Sequence, residues 1–503
     1  FNPRTKHFNT MMKELQEWTQ LGDLRPTQKM VTLAKDGFQV PVVCFDFPAV
    51  ICSLFNDREV NQLKNLVINP DDPFGKYVSP DGKLNDVNSA QIYELAYDHC
   101  CTSEKDFLAL VILYMDKTVI SQTKEGLSAL PVMMTVATFN CEVNILIGVP
   151  YLLHSHLLSN IFIPLTLLSS IQTRNKSLAW RPLGFIPNVD NFYSKAQYAT
   201  LFTMEDKILR FQQMCDAVLE SLVQSQQPGA LENITLRLGP YEKEVNLKCP
   251  VAFIIGDAQG GDTIAGRSPY YGRTVSRICR SCNATYDNQT DTGRNSCQRL
   301  LQAPIKMAIE RGDTVLLDQL GQKNCFNAFM KLDFVGSPFG IVMASCPPEP
   351  LHQLEKGPVA DAIFQLYDSM MTKNEQSRLD DIVTGWCNLP SQSLMRSYRF
   401  NFPRLIFADG ITTLSHTTAK TYIGMMLAIV IAGLTKDGRN LFTSEKSRMG
   451  TAMYSNILET FEILLAFWPW VKKDIYWDCL LHTYEAADSD TSVYGAESQF
   501  LTD

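Results

Sequence analysis

Along the chain the pattern of apolar and polar positions changes character near residue 106. Residues 1–105 are mixed and polar, with a helical piece at Phe8–Gln20 and loop signals at Asn69-Pro70-Asp71-Asp72-Pro73. Phe107–Met115 is an unbroken apolar run of strand length, the pattern of a strand buried on both faces, and it ends directly on Asp116. A turn-rich piece with Lys124, Glu125 and Gly126 separates it from a second strand, Pro131–Phe139, which can pair with it as a hairpin. Trp180–Pro187 is a third candidate strand. Met204, Ile208, Phe211, Cys215, Val218, Leu219 and Leu222 then recur three and four apart, which predicts a long helix with one apolar stripe.

A small hairpin around Gly239-Pro240 leads into Val251–Ile255, a short buried strand that ends at Gly256-Asp257. Gly, Arg and Cys punctuate the next stretch, Phe339–Ala344 reads as a further strand, and a helix is predicted from about Glu349 past Tyr367. The remainder to about residue 475 is mostly helical, with Pro403 and Gly410 as breaks, and Glu485–Asp503 is polar and loose. The expected fold class is α/β (α+β), a mixed sheet flanked by helices, in five segments. These are an N-terminal mixed region (1–105), the first part of a core (106–258), a Cys/Arg-rich zinc-type insertion (259–337), the last core strand and helix (338–372), and a helical insertion or C-terminal region (373–503).

With 503 residues, 45% of them hydrophobic and 19% charged, the chain can fill real cores and is not a disordered sequence. Its net charge of −8 is not the bias of a nucleic-acid binder, so any such binding needs a local basic surface. The 14 cysteines are scattered without an evenly spaced framework and no secretory signal opens the chain, so a reducing compartment is expected. Leu146–Ile171 is broken by Pro150, His154, His156, Asn160 and Pro164, and Tyr422–Leu434 falls short of the ~20 residues a bilayer needs. Both are expected to be buried helices, with no membrane partner. The chain opens on Phe1 rather than Met, which fits a piece of a longer protein.

Three constellations can carry chemistry. If the first and fourth core strands are neighbours, Asp116 and Asp257 come together beyond the strand ends, where ligands gather in open sheets. Two close carboxylates require protonation or cations, and oxygen ligands suit Mg²⁺ or Mn²⁺; two such ions can drive phosphodiester displacement. An aspartate after a buried strand is equally an ordinary cap or turn former. Cys279-Arg280-Ser281-Cys282 offers two thiolates from one turn, half of a structural Zn²⁺ site, with Cys297, Cys325, Cys346 and His352 as candidates for the rest. Around it Arg267, Arg273, Arg277, Arg280, Arg294 and Arg299, interleaved with Tyr270 and Tyr271, are opposed only by Asp287 and Asp291. Such a patch suits nucleic acid, or is a solvated arginine-rich loop. Finally, Glu349 and His352 share a helix face at the start of the expected helix, with Pro350 in its first turn.

Tyr114-Met115-Asp116-Lys117-Thr118 with Ala129-Leu130-Pro131-Val132, then Ile255-Gly256-Asp257, Cys279-x-x-Cys282 and Glu349-Pro-Leu-His352-Gln-Leu together resemble the DDE transposases of the CACTA-like group, Plavaka-like branch. The resemblance runs over roughly residues 105–365. It implies a ribonuclease-H-like catalytic core, a nuclear location, and double-stranded DNA (transposon ends and target DNA) as partner, with a homo-oligomer possible. It also implies two Mg²⁺ or Mn²⁺ ions held by Asp116, Asp257 and a late acid, with Glu349 and His352 supporting phosphate or ligands, and structural Zn²⁺ on Cys279, Cys282 and Cys346. Glu349 stands where the family carries Asp or Cys. The third acid falls either at Glu462, next to Glu459 on an amphipathic helix, or beyond Asp503. Alternatives are a domesticated or decayed derivative that binds DNA without cutting it, and a zinc-stapled protein-interaction scaffold.

Overall fold

A computed structural model describes residues 24–79, 87–116, 118–119, 128–140, 179–189, 200–256, 258–267, 277–285, 287–288, 298–344, 359–387, 407, 410–412, 414, 419–443 and 450–471. The chain divides into two compact units, Phe1–Pro347 with Trp477–Asp503, and Pro348–Tyr476.

The first unit opens with the antiparallel pair β1 (Thr27–Thr32) and β2 (Gln39–Cys44), followed by α1 (Phe47–Asn56) and α2 (Gln91–Cys100). Next come β3 (Asp106–Leu108), β4 (Val111–Met115), β5 (Thr118–Val119), β6 (Ser128–Val136) and β7 (Arg181–Pro187). The long helix α3 (Met204–Ser225), β8 (Ile234–Leu238), β9 (Tyr241–Lys248) and β10 (Val251–Ile255) complete the sheets. The larger sheet has the order β1-β2-β7-β6-β4-β10, with β5 pairing off β6, and the smaller has the order β3-β9-β8. In the larger sheet β4 pairs antiparallel with β6, β6 antiparallel with β7, and β10 parallel with β4.

The apolar run Phe107–Met115, expected as one strand, is shared between the two sheets. Ala109 donates to the carbonyl of Lys248 and Val111 to that of Pro250, so the extended path continues alongside β9 and β10 through the change of sheet. Burial on both faces explains its unbroken apolarity. Val111, Leu113 and Met115 face one core together with Val218, Leu219 and Leu222 of α3. Ile112 and Tyr114 face the other, with Ile92, Tyr93 and Ala96 of α2. The period of two along β4 thus sorts its side chains between two helical layers.

Of the stripe read from the sequence, Ile208, Cys215, Val218, Leu219 and Leu222 are buried on α3, and Met204 and Phe211 are half-buried. Thr203 and Asp206 form a reciprocal capping box at its start. Gly184 of β7 lets the helix come close, since a Cβ there would stand 2.5 Å from the carbonyl oxygen of Val43 and 2.7 Å from Val218 Cγ1. The Gly239-Pro240 hairpin forms as expected, with Gly239 at φ 60°.

After β10 come α4 (Ala258–Ile264), α5 (Gln302–Arg311), α6 (Thr314–Gln319) and α7 (Ile341–Ala344). Phe339–Ala344 is therefore not the fifth strand expected: it is a turn and one turn of helix. Gly340 adopts φ 52°, and the side chain of Gln302 accepts from the amide of Ile341 at 2.8 Å, which starts a helical turn where the apolar content alone suggested extension. Phe339, Ile341 and Val342 are buried, so their hydrophobicity reports burial rather than strand geometry.

The second unit is helical in its described residues: α8 (Ala360–Gln365) running into a π-turn at Leu366–Met370, then α9 (Lys373–Cys387), α10 (Ala419–Leu434), α11 (Lys436–Thr443) and α12 (Gly450–Val471). Ile423, Met426 and Ile429 of α10 lie in its core with Leu379, Tyr454 and Phe461. The apolar stretch at 422–434 is thus a buried helix, as expected. Among the described residues no helix is long and apolar enough to cross a membrane. Leu146–Ile171 lies outside the described residues.

Candidate functional site

The register of the parallel pair sets the position of the first carboxylate. Val111 is opposite Val251, Ile112 opposite Phe253, Leu113 opposite Ile254 and Tyr114 opposite Ile255, so the C-terminal ends of β4 and β10 finish side by side. Asp116 follows Met115 directly and is half-buried. Its parity places it on the Tyr114 side of the sheet, and the Tyr114 hydroxyl donates to Asp116 Oδ2 at 3.2 Å. This fixes the carboxylate at the end of a rigid strand, where a hard oxygen donor suits a divalent cation. Asp257, two positions beyond Ile255, lies outside the described residues.

Cys279 and Cys282 stand in a knuckle. Asn283 donates to the carbonyl of Gln298, Leu300 to that of Ser281, and Cys282 bridges Arg299. The Ser281 amide approaches Cys279 Sγ at 3.4 Å. Hydrogen bonding from Cys282 pulls the Cys279 thiol down to about 6 against the opposing effect of burial. The amides of Ser281 and Cys282 and the Arg267 guanidinium add to the lowering. A thiolate so stabilised fits half of a zinc site. Among the described residues no third His, Cys, Asp or Glu closes on this pair. Cys297, Cys346 and His352 lie outside them. Cys325 is buried, and burial pushes its thiol up to about 12.

The described arginines of this region are engaged within the fold. Arg267 is 2% exposed, close to the equally buried Asp262, and donates to the carbonyls of Arg277 at 2.7 Å and Leu320 at 3.5 Å. Arg280 pairs with Asp262 Oδ1 at 3.0 Å. Arg277 donates to the Gln319 carbonyl at 2.7 Å and to that of Asn283. Their density in the sequence therefore stabilises the carbonyl-rich loops around the knuckle, and Arg267 in particular is an interior residue rather than part of a basic surface. Arg273, Tyr270 and Tyr271 lie outside the described residues, as do Glu349 and His352.

Glu462 and Glu459 are exposed on α12, while Phe461 is buried and Ile457, Leu464 and Leu465 pack against the core of the second unit, as the amphipathic spacing predicts.

One cluster escaped sequence reasoning. His99 and Cys100, the last two residues of α2, meet Asp333 from the loop after the 3-10 turn Ala328–Lys331: His99 Nε2 is 3.5 Å and Cys100 Sγ 3.8 Å from Asp333 Oδ2. Burial and the neighbouring Asp333 carboxylate push the Cys100 thiol up to about 12. Cys100 and Cys101 are adjacent in the sequence, but nothing in the sequence brings Asp333 to them.

No protein-family model matches the chain, and no curated protein matches it either.

Proposed function

We propose that this chain is a metal-dependent DNA-cleaving and strand-transfer enzyme of the DDE transposase type, built on a ribonuclease-H-like core. The observation that carries the proposal is the parallel pairing of β4 with β10, with Tyr114 opposite Ile255. Sequence reasoning required the first and fourth core strands to be neighbours, and this register supplies the adjacency. Three antiparallel strands, a long helix and a returning parallel strand support the same reading.

Asp116 and Asp257 are the carboxylates assigned to two Mg²⁺ or Mn²⁺ ions. Asp116 fits such an ion: its donors are hard oxygens, it is half-exposed at a strand end, and Tyr114 orients its Oδ2. When bound, the ions supply an activated water or 3′-hydroxyl and stabilise the leaving oxygen of a phosphodiester. Tyr114 donates to Asp116 Oδ2 at 3.2 Å and so orients the carboxylate at the end of a packed strand. Cys279 and Cys282 are assigned to a structural Zn²⁺ that staples the knuckle, with Cys346 as a further ligand. With Arg267 interior, Arg277 engaged with loop carbonyls and Arg280 with Asp262, the DNA contacts of this region are assigned to Arg273, Tyr270 and Tyr271. A nuclear location and duplex DNA as partner belong to the same reading.

The test is Mn²⁺-dependent nicking of a labelled duplex by the purified chain, beside Asp116→Asn and Asp257→Asn. Cutting by the parent that both substitutions abolish is the expected result. Cutting that survives both removes these carboxylates from the mechanism. Duplex and zinc binding without any scission favours a derivative that binds DNA without catalysis.

A further inference from the structure

We propose that His99, Cys100 and Asp333 form a Zn²⁺ site that clasps the end of α2 to the start of β10. The site is independent of the proposed carboxylate centre and does not rest on the transposase reading. The three ligand atoms all lie within 4.8 Å of one another. Tetrahedral zinc, with bonds of about 2.0 Å to nitrogen and oxygen and about 2.3 Å to sulfur, separates its ligand atoms by about 3.3–3.6 Å. The observed separations of 3.5 Å (His99 Nε2 to Asp333 Oδ2) and 3.8 Å (Cys100 Sγ to the same oxygen) are within a few tenths of an ångström of that geometry.

The donor set selects the metal. One imidazole nitrogen, one thiolate sulfur (Cys100 giving up its proton to solvent as the metal binds) and one carboxylate oxygen suit a borderline ion such as Zn²⁺ or Co²⁺; sulfur is a poor ligand for Mg²⁺ or Ca²⁺. Three protein ligands leave the fourth position to water, and the site is open to solvent, since the His99 side chain is 51% exposed.

Asp333 is held from several sides. Its amide donates to Gln226 Oε1 at 2.9 Å, and its carbonyl accepts from Val251 at 2.8 Å and from Gln226 Nε2 at 3.3 Å. Gly336 donates to Asp333 Oδ1 at 3.1 Å, which leaves Oδ2 toward His99 and Cys100. Gly336 lies at φ 70°, and a Cβ there would stand 2.4 Å from His99 Cγ, so only glycine lets the imidazole settle over this turn. These hydrogen bonds serve as the outer support that fixes a metal ligand's orientation.

The location separates this site from Asp116. Asp333 is bonded to Val251, the first residue of β10, whereas Asp116 lies beyond the last residue of β4; five strand residues put roughly 15 Å between the two ends. Zinc here would fasten α2, the helix that covers the Tyr114 face, to the strand pair on which that face is built.

The experiment uses the full chain carrying Cys279→Ser and Cys282→Ser, so that the knuckle contributes no metal. After chelator treatment Zn²⁺ is titrated calorimetrically, and bound metal is counted by elemental analysis. One equivalent is expected, with affinity lowered at least 10- to 100-fold by His99→Ala and by Asp333→Asn, and saturating Zn²⁺ raising the thermal midpoint by about 5 °C only when both residues are intact. His99 is half-exposed, so His99→Ala retains the fold and remains decisive if Asp333→Asn does not fold. Absence of Zn²⁺ binding, or binding that His99→Ala leaves unchanged, overturns the proposal.

Discussion

Replacing Asp262 by Ala tests whether the arginines beside the cysteine knuckle serve the interior or a ligand. Asp262 is 2% exposed on α4, with Arg280 Nη1 at 3.0 Å and Arg267 Nε at 3.7 Å, and Arg267 is itself 2% exposed. One carboxylate therefore neutralises two guanidiniums, one of them fully interior. Removing one partner of a buried pair leaves an uncompensated charge and costs about 3–5 kcal/mol. Taking about 2–4 °C per kcal/mol for a large unit, the thermal midpoint should fall by roughly 6–20 °C. Urea unfolding of the parent, Asp262→Ala and Asp262→Asn measures the loss directly, with an unchanged denaturant slope marking a pure stability effect. Duplex binding across a salt series supplies the second readout. If Arg267 and Arg280 instead served phosphates, freeing them from Asp262 would strengthen binding and steepen its salt dependence. A stability change below about 1 kcal/mol together with tighter, more salt-sensitive DNA binding would refute the interior role.

Two further outcomes follow from the packing of α3. Gly184→Ala drives a Cβ into the Val43 carbonyl and Val218, so it should destabilise the first unit by about 1–3 kcal/mol or more, visible as a lowered urea midpoint; an unchanged midpoint would mean that α3 can move off the sheet freely. Lys35 at 2.6 Å, with Thr203, lowers the Asp206 carboxyl from 3.8 to about 2. A depressed acid contributes stability that is complete above its ordinary value and is lost as pH falls from there toward 2. The shift corresponds to about 2.5 kcal/mol, which solvent screening at this surface pair reduces to about 1 kcal/mol. The stability gap between parent and Asp206→Asn should therefore close as pH falls from 5 to 2, and a gap constant over that range would contradict it.

The sequence by itself determined the elements whose pattern has one physical cause. A period of three and four placed the buried face of α3, and Gly239-Pro240 placed a hairpin because glycine takes φ 60° without strain. Continuous apolarity marked β4 and β10 as strands buried on both faces, and the position of Asp116 at a strand end came with that assignment. The inward set on α12 was legible for the same reason, which also left Glu462 exposed.

What tertiary structure decided are the facts that depend on partners distant along the chain. The division of Phe107–Met115 between two sheets depends on the path of β9 and β10, which apolar content does not encode. Phe339–Ala344 became a helical turn because Gln302 and Gly340 set its backbone, while its hydrophobicity reported only burial. The arginine run reads as a surface because charge is usually solvated; Asp262 and a set of loop carbonyls engage three of its members, and Arg267 among them is fully buried. Asp333 meets His99 and Cys100 only after α2, α3 and β10 have packed, because the hydrogen bonds from Gln226 and Val251 that hold it form in the folded chain. Local periodicity records which side chains leave water, whereas the meeting of particular polar groups is fixed by how the elements dock.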